Sequence, residues 1–451
     1  MAAVSTTSPS VEGDAGLDYP SRGYRVLVVA VMFLAYFMAF LHRQVILIMI
    51  PALKADLHVN DTLVSLLAGL GSVALFVVAG VPLGRLADRT SRRNLMWIAV
   101  ALWSLAALVC GLVNNFWLLF VARMVVGLGE AALQPAAFSL LTDYFPPTQR
   151  GRAIALAQVG VPVGSSAAIF GGGLFMSLLA SGAFAGLVPE GMRSWQALFI
   201  ASALPGFVVA AMVAGLREPV RRGAGAAEVA AAPLWPFLRR HGLAFWTLAL
   251  VYAGYAVTGY GVSLWTPTVL MRIHHFSPAQ SGTVSGLILL LCSVPGYAGA
   301  GFLSDLLDRW RGPQGRAMAP LFLTPPLFAV LVWLALTNDL TSTMCALIAS
   351  FFLFSLGSVT LLPALQAFLP NRLRGQGLAI VVLVGNVAGL GIAPTVIGAV
   401  NDYVFHDEMK LQVSVGLVNA AVAALIMLLA IGLPRFYAQA CQEMQAEEQP
   451  G

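Results

Sequence analysis

Apolar runs long enough to cross a membrane recur from one end of this chain to the other. "LMWIAVALWSLAALVCGLV" (95–113) and "VSVGLVNAAVAALIMLLAIGL" (413–433) carry no charge at all. About 20 such residues span roughly 30 Å of hydrocarbon as a helix, and inside a bilayer every backbone amide must find its partner within the protein. The runs lack strand-like alternation and are built of Gly, Ala, Leu and Val, so the spans are helices rather than barrel strands. With 59% hydrophobic and only 10% charged residues among 451, a soluble domain is excluded.

Spans and breaks together predict twelve helices, near 24–52, 62–86, 94–113, 116–143, 150–180, 195–216, 241–272, 279–305, 317–337, 340–368, 374–402 and 412–434. The fold class is an all-α polytopic membrane protein. The expected organisation is a disordered cytoplasmic tail (1–23), a six-helix half (24–218), a cytoplasmic linker (219–240) rich in Pro, Gly, Ala and Arg, a second six-helix half (241–435) and a cytoplasmic tail (436–451). The opening "MAAVSTTSPSVEGDAGLDYPSRG" lacks the basic start and short apolar core of a signal peptide. The four cysteines show no paired spacing, and no metal-ligand, Walker or cofactor pattern is visible.

Basic residues set the expected orientation. With both termini cytoplasmic, all but six of the 25 Lys and Arg residues lie inside. The exceptions are Lys54, Arg193, Arg272 and Lys410 outside, and Arg43 and Arg123 within spans. The formal charge of +5 then reflects topology and anionic headgroups, and gives no reason to expect nucleic acid.

The chain also repeats itself. "GRLADRTSRR" (84–93) after the second helix is echoed by "GFLSDLLDRW" (301–310) after the eighth, and "QRGRA" (149–153) by "LRGQG" (373–377). Two six-helix units related by duplication, with G-x-L-x-D-R-x-x-R-R between helices two and three, resemble the major facilitator superfamily. Gly84, Leu86, Asp88, Arg89, Arg92 and Arg93 match that loop motif, with Ser91 in place of the usual Gly. "RMVVGLG" in helix four is similar to a second motif. Within the superfamily, "FWLLFVARMVVGLGEAALQPAAFSLLTDYF" (116–145), "QRGRAIALAQVGVPVGS" (149–165) and "LWTPTVL" (264–270) resemble the Spinster-like lipid transporters. That family's Asp-Arg pair in helix one and its R-x-x-x-G-x-G-E in helix four correspond here to His42, Arg43, Arg123 and Glu130. His42 stands where the family has Asp, so its proton-coupling role does not carry over unchanged.

The same four residues stand out on physical grounds. An ionisable group deep in a span costs on the order of 2.5–3.5 kcal/mol, so it needs a partner or a wet cavity. From helical rise, Arg43 lies about 13 Å below the outer end of helix one and Glu130 about 21 Å below that of helix four. Side chains lean toward their own helix N-terminus, so these two lean toward each other, whereas Arg123 leans away and is expected to bind anions nearer the outside. Arg43 and Glu130 are either a substrate- and proton-responsive switch or a fixed pair locking two helices. His42 is either a proton relay or a donor to a backbone carbonyl.

Tyr36, Gln134, Tyr255, Tyr260, Trp265 and Asn386 are expected to line the cavity. Asp88 is expected to accept from the amides that open helix eleven near Gly375, latching the halves on the cytoplasmic side, with Arg92 and the repeated Asp305 part of that gate. The resemblance implies that Arg89 pairs with Asp143. "GVPVGSSAAIFGGG" (160–173) and "GYAVTGYGVSLWTP" (254–267) are either hinges or small-residue packing surfaces. The expectation is a secondary transporter, not an enzyme: a monomer without cofactors in the bacterial inner membrane, moving protons and an amphipathic anion by alternating access, with the lysolipid or sphingoid-phosphate type being what the resemblance implies. The rival readings are a proton-coupled porter of small organic anions and a substrate-sensing receptor on the same fold.

Overall fold

The computed structural model describes residues 19–183, 188, 189, 191–221, 234–370 and 373–448. The described residues form twelve helices long and apolar enough to cross a membrane: α1 (Arg22–Leu57), α2 (Asp61–Arg89), α3 (Arg92–Leu112), α4 (Phe116–Tyr144), α5 (Pro147–Ala180), α6 (Ser194–Ala214), α7 (Leu234–Arg272), α8 (Pro278–Arg311), α9 (Gly315–Leu336), α10 (Leu340–Phe368), α11 (Arg374–Phe405) and α12 (Glu408–Met444). An even number of crossings puts the chain ends on one face, called here the terminal face.

Side-chain caps fix where helices start. Asn60 accepts from Leu63 N at 2.9 Å, Asn115 from Trp117 N at 2.9 Å and Asp339 from Ser342 N at 2.9 Å, each satisfying an amide that the first turn leaves free. Ser277 and Gln280 form a reciprocal capping box ahead of α8.

Two expected boundaries move. Residues 234–240 of the anticipated linker are helical and run into α7 through a kink at His241 (φ −110°, ψ 19°). The helix of α12 continues to Glu448, well into the anticipated tail. Tyr437 there is buried and donates to Ala364 O at 3.1 Å, so packing against α10 holds this extension in place. The tail expected over 1–23 lies outside the described residues as far as residue 18, as do positions 222–233 of the linker.

Several helices break at the depth where the functional residues lie. α1 is interrupted at Val45, α2 at Gly69 and α4 at Ala131 and Ala132. α11 carries π-helical turns at Val387–Ile392 and Asn401–Phe405. Pro135 explains the break in α4, because it offers no amide to the carbonyl of Ala131.

The first six and last six helices meet toward the far face. At Gly173 of α5 a Cβ would stand 3.1 Å from Gly282 Cα of α8, and at Gly282 it would stand 2.5 Å from Ile169 O. Glycine alone permits that approach. At the terminal end of the same cleft the halves part: a Cβ on Gly375 of α11 would meet nothing within 4 Å. The cleft is closed at the far face and open at the terminal face.

Candidate functional site

At the depth of the α1 and α4 breaks, Arg43 and Glu130 meet. Arg43 Nε donates to Glu130 Oε2 at 2.9 Å and Nη2 donates to the same oxygen. The glutamate side chain is 2% exposed and the arginine 11%, so the pair is approached from the arginine side. Phe40 and Phe76 each have a ring centroid 5.1 Å from the guanidinium, within cation–π range. Among the described residues, Glu130 Oε1 has no hydrogen-bond partner. The glycines of the helix-four motif bring α4 in close: at Gly127 a Cβ would run into Ser72 O of α2, and at Gly129 it would stand 2.9 Å from Trp103 Cβ of α3.

Arg123 does not stand free to bind anions. It is buried, and its guanidinium donates to His42 O at 2.8 Å, to Arg43 O at 3.3 Å and to Ser72 Oγ at 2.6 Å. The two carbonyls precede the interruption of α1 at Val45, so Arg123 satisfies backbone acceptors where the helix bends and joins α1, α2 and α4. His42 turns away from the pair, since consecutive helical residues point about 100° apart. Its Nε2 donates to Ser202 O of α6 at 2.8 Å, and its Nδ1 is buried without a partner.

Tyr260 lies beside Arg43, lining with Gln44, Ser72 and Ser263 a void of about 20 Å³ capped by Leu390. Tyr260, Gln44 and Ser263 also line a neighbouring cleft of about 100 Å³ with Phe40, Phe354 and Tyr297. Gln134 is exposed just past Glu130, and Asn386 is half-buried at the start of the first π-turn of α11. The other three expected lining residues are structural. Tyr255 is fully buried and its hydroxyl meets Thr324 Oγ1 at 2.9 Å between α7 and α9. Trp265 is fully buried and donates to Pro394 O at 3.2 Å. Tyr36 packs in the core of the first half, its hydroxyl unpartnered.

Toward the far face a polar network that sequence reasoning missed joins the halves. Asp61, its side chain fully buried at the start of α2, accepts from Lys54 Nζ (2.9 Å), from both Arg272 amino groups (2.8 and 2.9 Å) and from Asn401 Nδ2 (2.9 Å). Asp402 in turn accepts from Thr62 N at 2.7 Å and Thr62 Oγ1 at 2.6 Å. Below this network Gly69 of α2 approaches the Leu390 carbonyl in the π-turn of α11, sealing the cleft above Arg43.

On the terminal face Asp88 is exposed and, among the described residues, its carboxylate takes no hydrogen bond, so the expected contact with the amides that open α11 is not made. Arg92, not Arg89, pairs with Asp143. Arg89 ends α2 exposed to solvent, while buried Arg92 begins α3 facing α4, donating to Asp143, to Ser139 Oγ at 3.0 Å and to Glu218 Oε1 at 3.0 Å. Glu218 caps α3 by also accepting from Arg93 N at 2.8 Å and Ser91 Oγ at 2.8 Å. Burial opposes its charge, but the Arg93 amide, the Ser91 hydroxyl and Arg92 outweigh that and hold its carboxyl below the usual range. In the second half Asp305 is exposed, and Asp308 forms the ion pair, with Arg316.

A family model described as Major Facilitator Superfamily matches residues 32–394. The chain belongs to that superfamily. Among curated relatives, it is 26% identical to human Protein spinster homolog 1, covering 87% of this chain and 76% of the relative. It is 26% identical to an MFS-type efflux pump of Mycolicibacterium smegmatis, covering 79% of each. It superposes with a TM-score of 0.74 on the crystal structure of a bacterial homolog of the human lysosomal transporter Spinster in an inward-facing, occupied conformation, at 24% identity and over 94% of this chain and 98% of that one.

The chain is therefore a multi-pass membrane protein with a transporter fold close to the Spinster-like branch of the superfamily. In this frame the loop motif divides its labour: Arg92 and Asp143 hold one half together, and Asp88 stays exposed on the terminal face. One signal in the sequence did point to the far network. Lys54 and Arg272 are two of the four basic residues that the expected topology places on the poorer side, and both are bound to Asp61.

Proposed function

We propose that this superfamily member is a secondary transporter that carries an amphipathic anion, of the lysolipid or sphingoid-phosphate class, by alternating access, with Arg43 and Glu130 as the coupling pair. The observation that carries the reading is the pair itself, buried beside a cleft between the halves and approachable from the arginine side. An anionic headgroup competes with Glu130 for Arg43, and protonation of Glu130 frees the arginine for it. Phe40, Phe354 and Leu289 offer the tail an apolar wall along the same cleft. The resemblance of 116–145, 149–165 and 264–270 to the Spinster-like lipid transporters supports the lipid class, and the bias of basic residues supports a cytoplasmic terminal face. The chain acts as a monomer and needs no cofactor on this reading.

A second reading, a porter of small organic anions, is supported by the hydroxyl and amide groups of Gln44, Ser72, Tyr260 and Ser263 beside Arg43 and by 23% identity, over 83% of this chain, to a hexuronate transporter of Bacillus subtilis. A thermal-shift screen of the purified protein against lysophospholipids, fatty acids and hexuronates distinguishes the two, because a ligand of the folded state raises its melting temperature. The lipid reading expects stabilisation by anionic lysolipids that is lost in Arg43→Gln. Stabilisation by hexuronates and not by lysolipids overturns it.

A further inference from the structure

A second basic site, remote from Arg43, opens where α1 and α5 reach the terminal face. A cavity of about 760 Å³ is lined there by Arg22, Arg25 and Arg152 with Gln149, and above them by Val26, Val29, Phe33 and Leu156. Among the described residues none of the three arginines has a carboxylate partner. Arg25 is aimed and held: its Nη1 donates to Gln149 Oε1 at 3.1 Å, its guanidinium lies 5.7 Å from the Phe145 ring, and its Nε is buried with no acceptor. Three cations around one cavity, with no carboxylate partner among the described residues, favour an anion there. From Arg25 to Arg43 is eighteen residues of helix, about 27 Å, so one headgroup does not serve both sites.

We infer that this cavity binds the phosphate headgroup of an anionic phospholipid in the leaflet at the terminal face, with one acyl chain along Val26, Val29, Phe33 and Leu156. The apolar wall decides the class of occupant. Val26 is 63% exposed in the first turns of a membrane helix, and side chains at that depth favour an acyl chain over a polar segment. Residues 9–18, "PSVEGDAGLD", carry acids but little apolar surface to cover the wall. Basic pockets between membrane helices recognise lipid phosphates by the same chemistry, a guanidinium fork on phosphate oxygens.

Native mass spectrometry of the full-length protein released from detergent tests this with dioleoyl phosphatidylglycerol, dioleoyl phosphatidylcholine and inorganic phosphate as probes. Each arginine near the headgroup is worth about fivefold in retention. Wild type is expected to retain phosphatidylglycerol over phosphatidylcholine, Arg152→Gln to lose about fivefold, and Arg25→Gln with Arg152→Gln to lose more. Arg152 is exposed, so its single variant reports binding even if the double variant unfolds. Arg25→Lys keeps the charge and is expected to lose less than Arg25→Gln. Equal retention by wild type and Arg152→Gln overturns the site. Displacement of the lipid by millimolar inorganic phosphate overturns the headgroup assignment in favour of a free anion. A several-fold rise in retention on deleting residues 1–18 overturns it in favour of that segment.

Discussion

The side chains around position 43 divide into those that hold the helices and those left free to respond. Arg123 belongs to the first group: Arg123→Gln leaves the His42 and Arg43 carbonyls unsatisfied and should cost about 1–3 kcal/mol of stability while ligand affinity stays near wild type. A lowered melting temperature with unchanged affinity is the expected pattern, and the reverse would restore Arg123 as an anion site. Glu218 gives a pH signature. Its carboxyl is held below the ordinary range in the folded protein, so its contribution is present above the unfolded pKa of about 4.3 and lost as pH falls through the lower folded value. Melting curves of wild type and Glu218→Gln should differ most near neutrality and converge in acid below about pH 4. At this scale the sequence exposed which groups were charged and deep, and helix direction correctly brought Arg43 to Glu130. It did not reveal that Arg123 answers two backbone carbonyls, because a bend in α1 has no residue that announces it. Nor did it separate Arg92 from Arg89, which depends on which arginine faces α4.

Helices are positioned here by backbone approach more than by large side chains. Gly160 and Gly164 of α5 set their Cα atoms against α1, where a Cβ on Gly160 would stand 2.9 Å from Phe37 N, and Gly259 of α7 lies against the Phe354 ring. Both glycine-rich stretches thus contain close-packing surfaces. Gly127→Val should push α4 off α2, misplace Glu130 and reduce folded yield, whereas Gly80→Val, where a Cβ meets nothing within 4 Å, should be tolerated. Size-exclusion recovery of the two variants after membrane extraction measures this, and equal recovery would mean that α4 has room to move. The number and approximate limits of the spans were legible because about 20 apolar residues leave few alternatives. The kinked start of α7 and the extension of α12 were not, since both are amphipathic surface helices held by packing such as Tyr437 against Ala364. Aromatic residues in a buried helix carry no mark of direction, and so Tyr255 and Trp265 face neighbouring helices instead of the cleft.

For the whole molecule, the conformation is set by which end of the cleft is tied. The far face is tied by Asp61 and by Gly69 beneath it, while among the described residues the Asp88 carboxylate at the terminal face takes no hydrogen bond. The polar tie joins Asp61 to Arg272, 211 positions away, and to Asn401, 340 positions away, which is why no local pattern showed it. Asp61→Asn should leave Lys54 and Arg272 without their shared carboxylate and shift the population toward opening at the far face. Electron–electron distance measurements between spin labels on the far ends of α2 and α11 should lengthen in the variant, and an unchanged distribution would assign the tie a purely structural role. On the proposed alternating-access reading, the pair at the centre responds to what enters. The most direct test is the affinity for an anionic lysolipid from about pH 5.5 to 8 in wild type and Glu130→Gln. If protonation of Glu130 releases Arg43, wild-type affinity rises as pH falls, and the variant, with no carboxylate to compete, binds tightly at every pH. A fixed structural pair predicts instead a variant destabilised by about 3–5 kcal/mol, and a folded variant that kept the wild-type pH dependence would contradict the coupling role of Glu130.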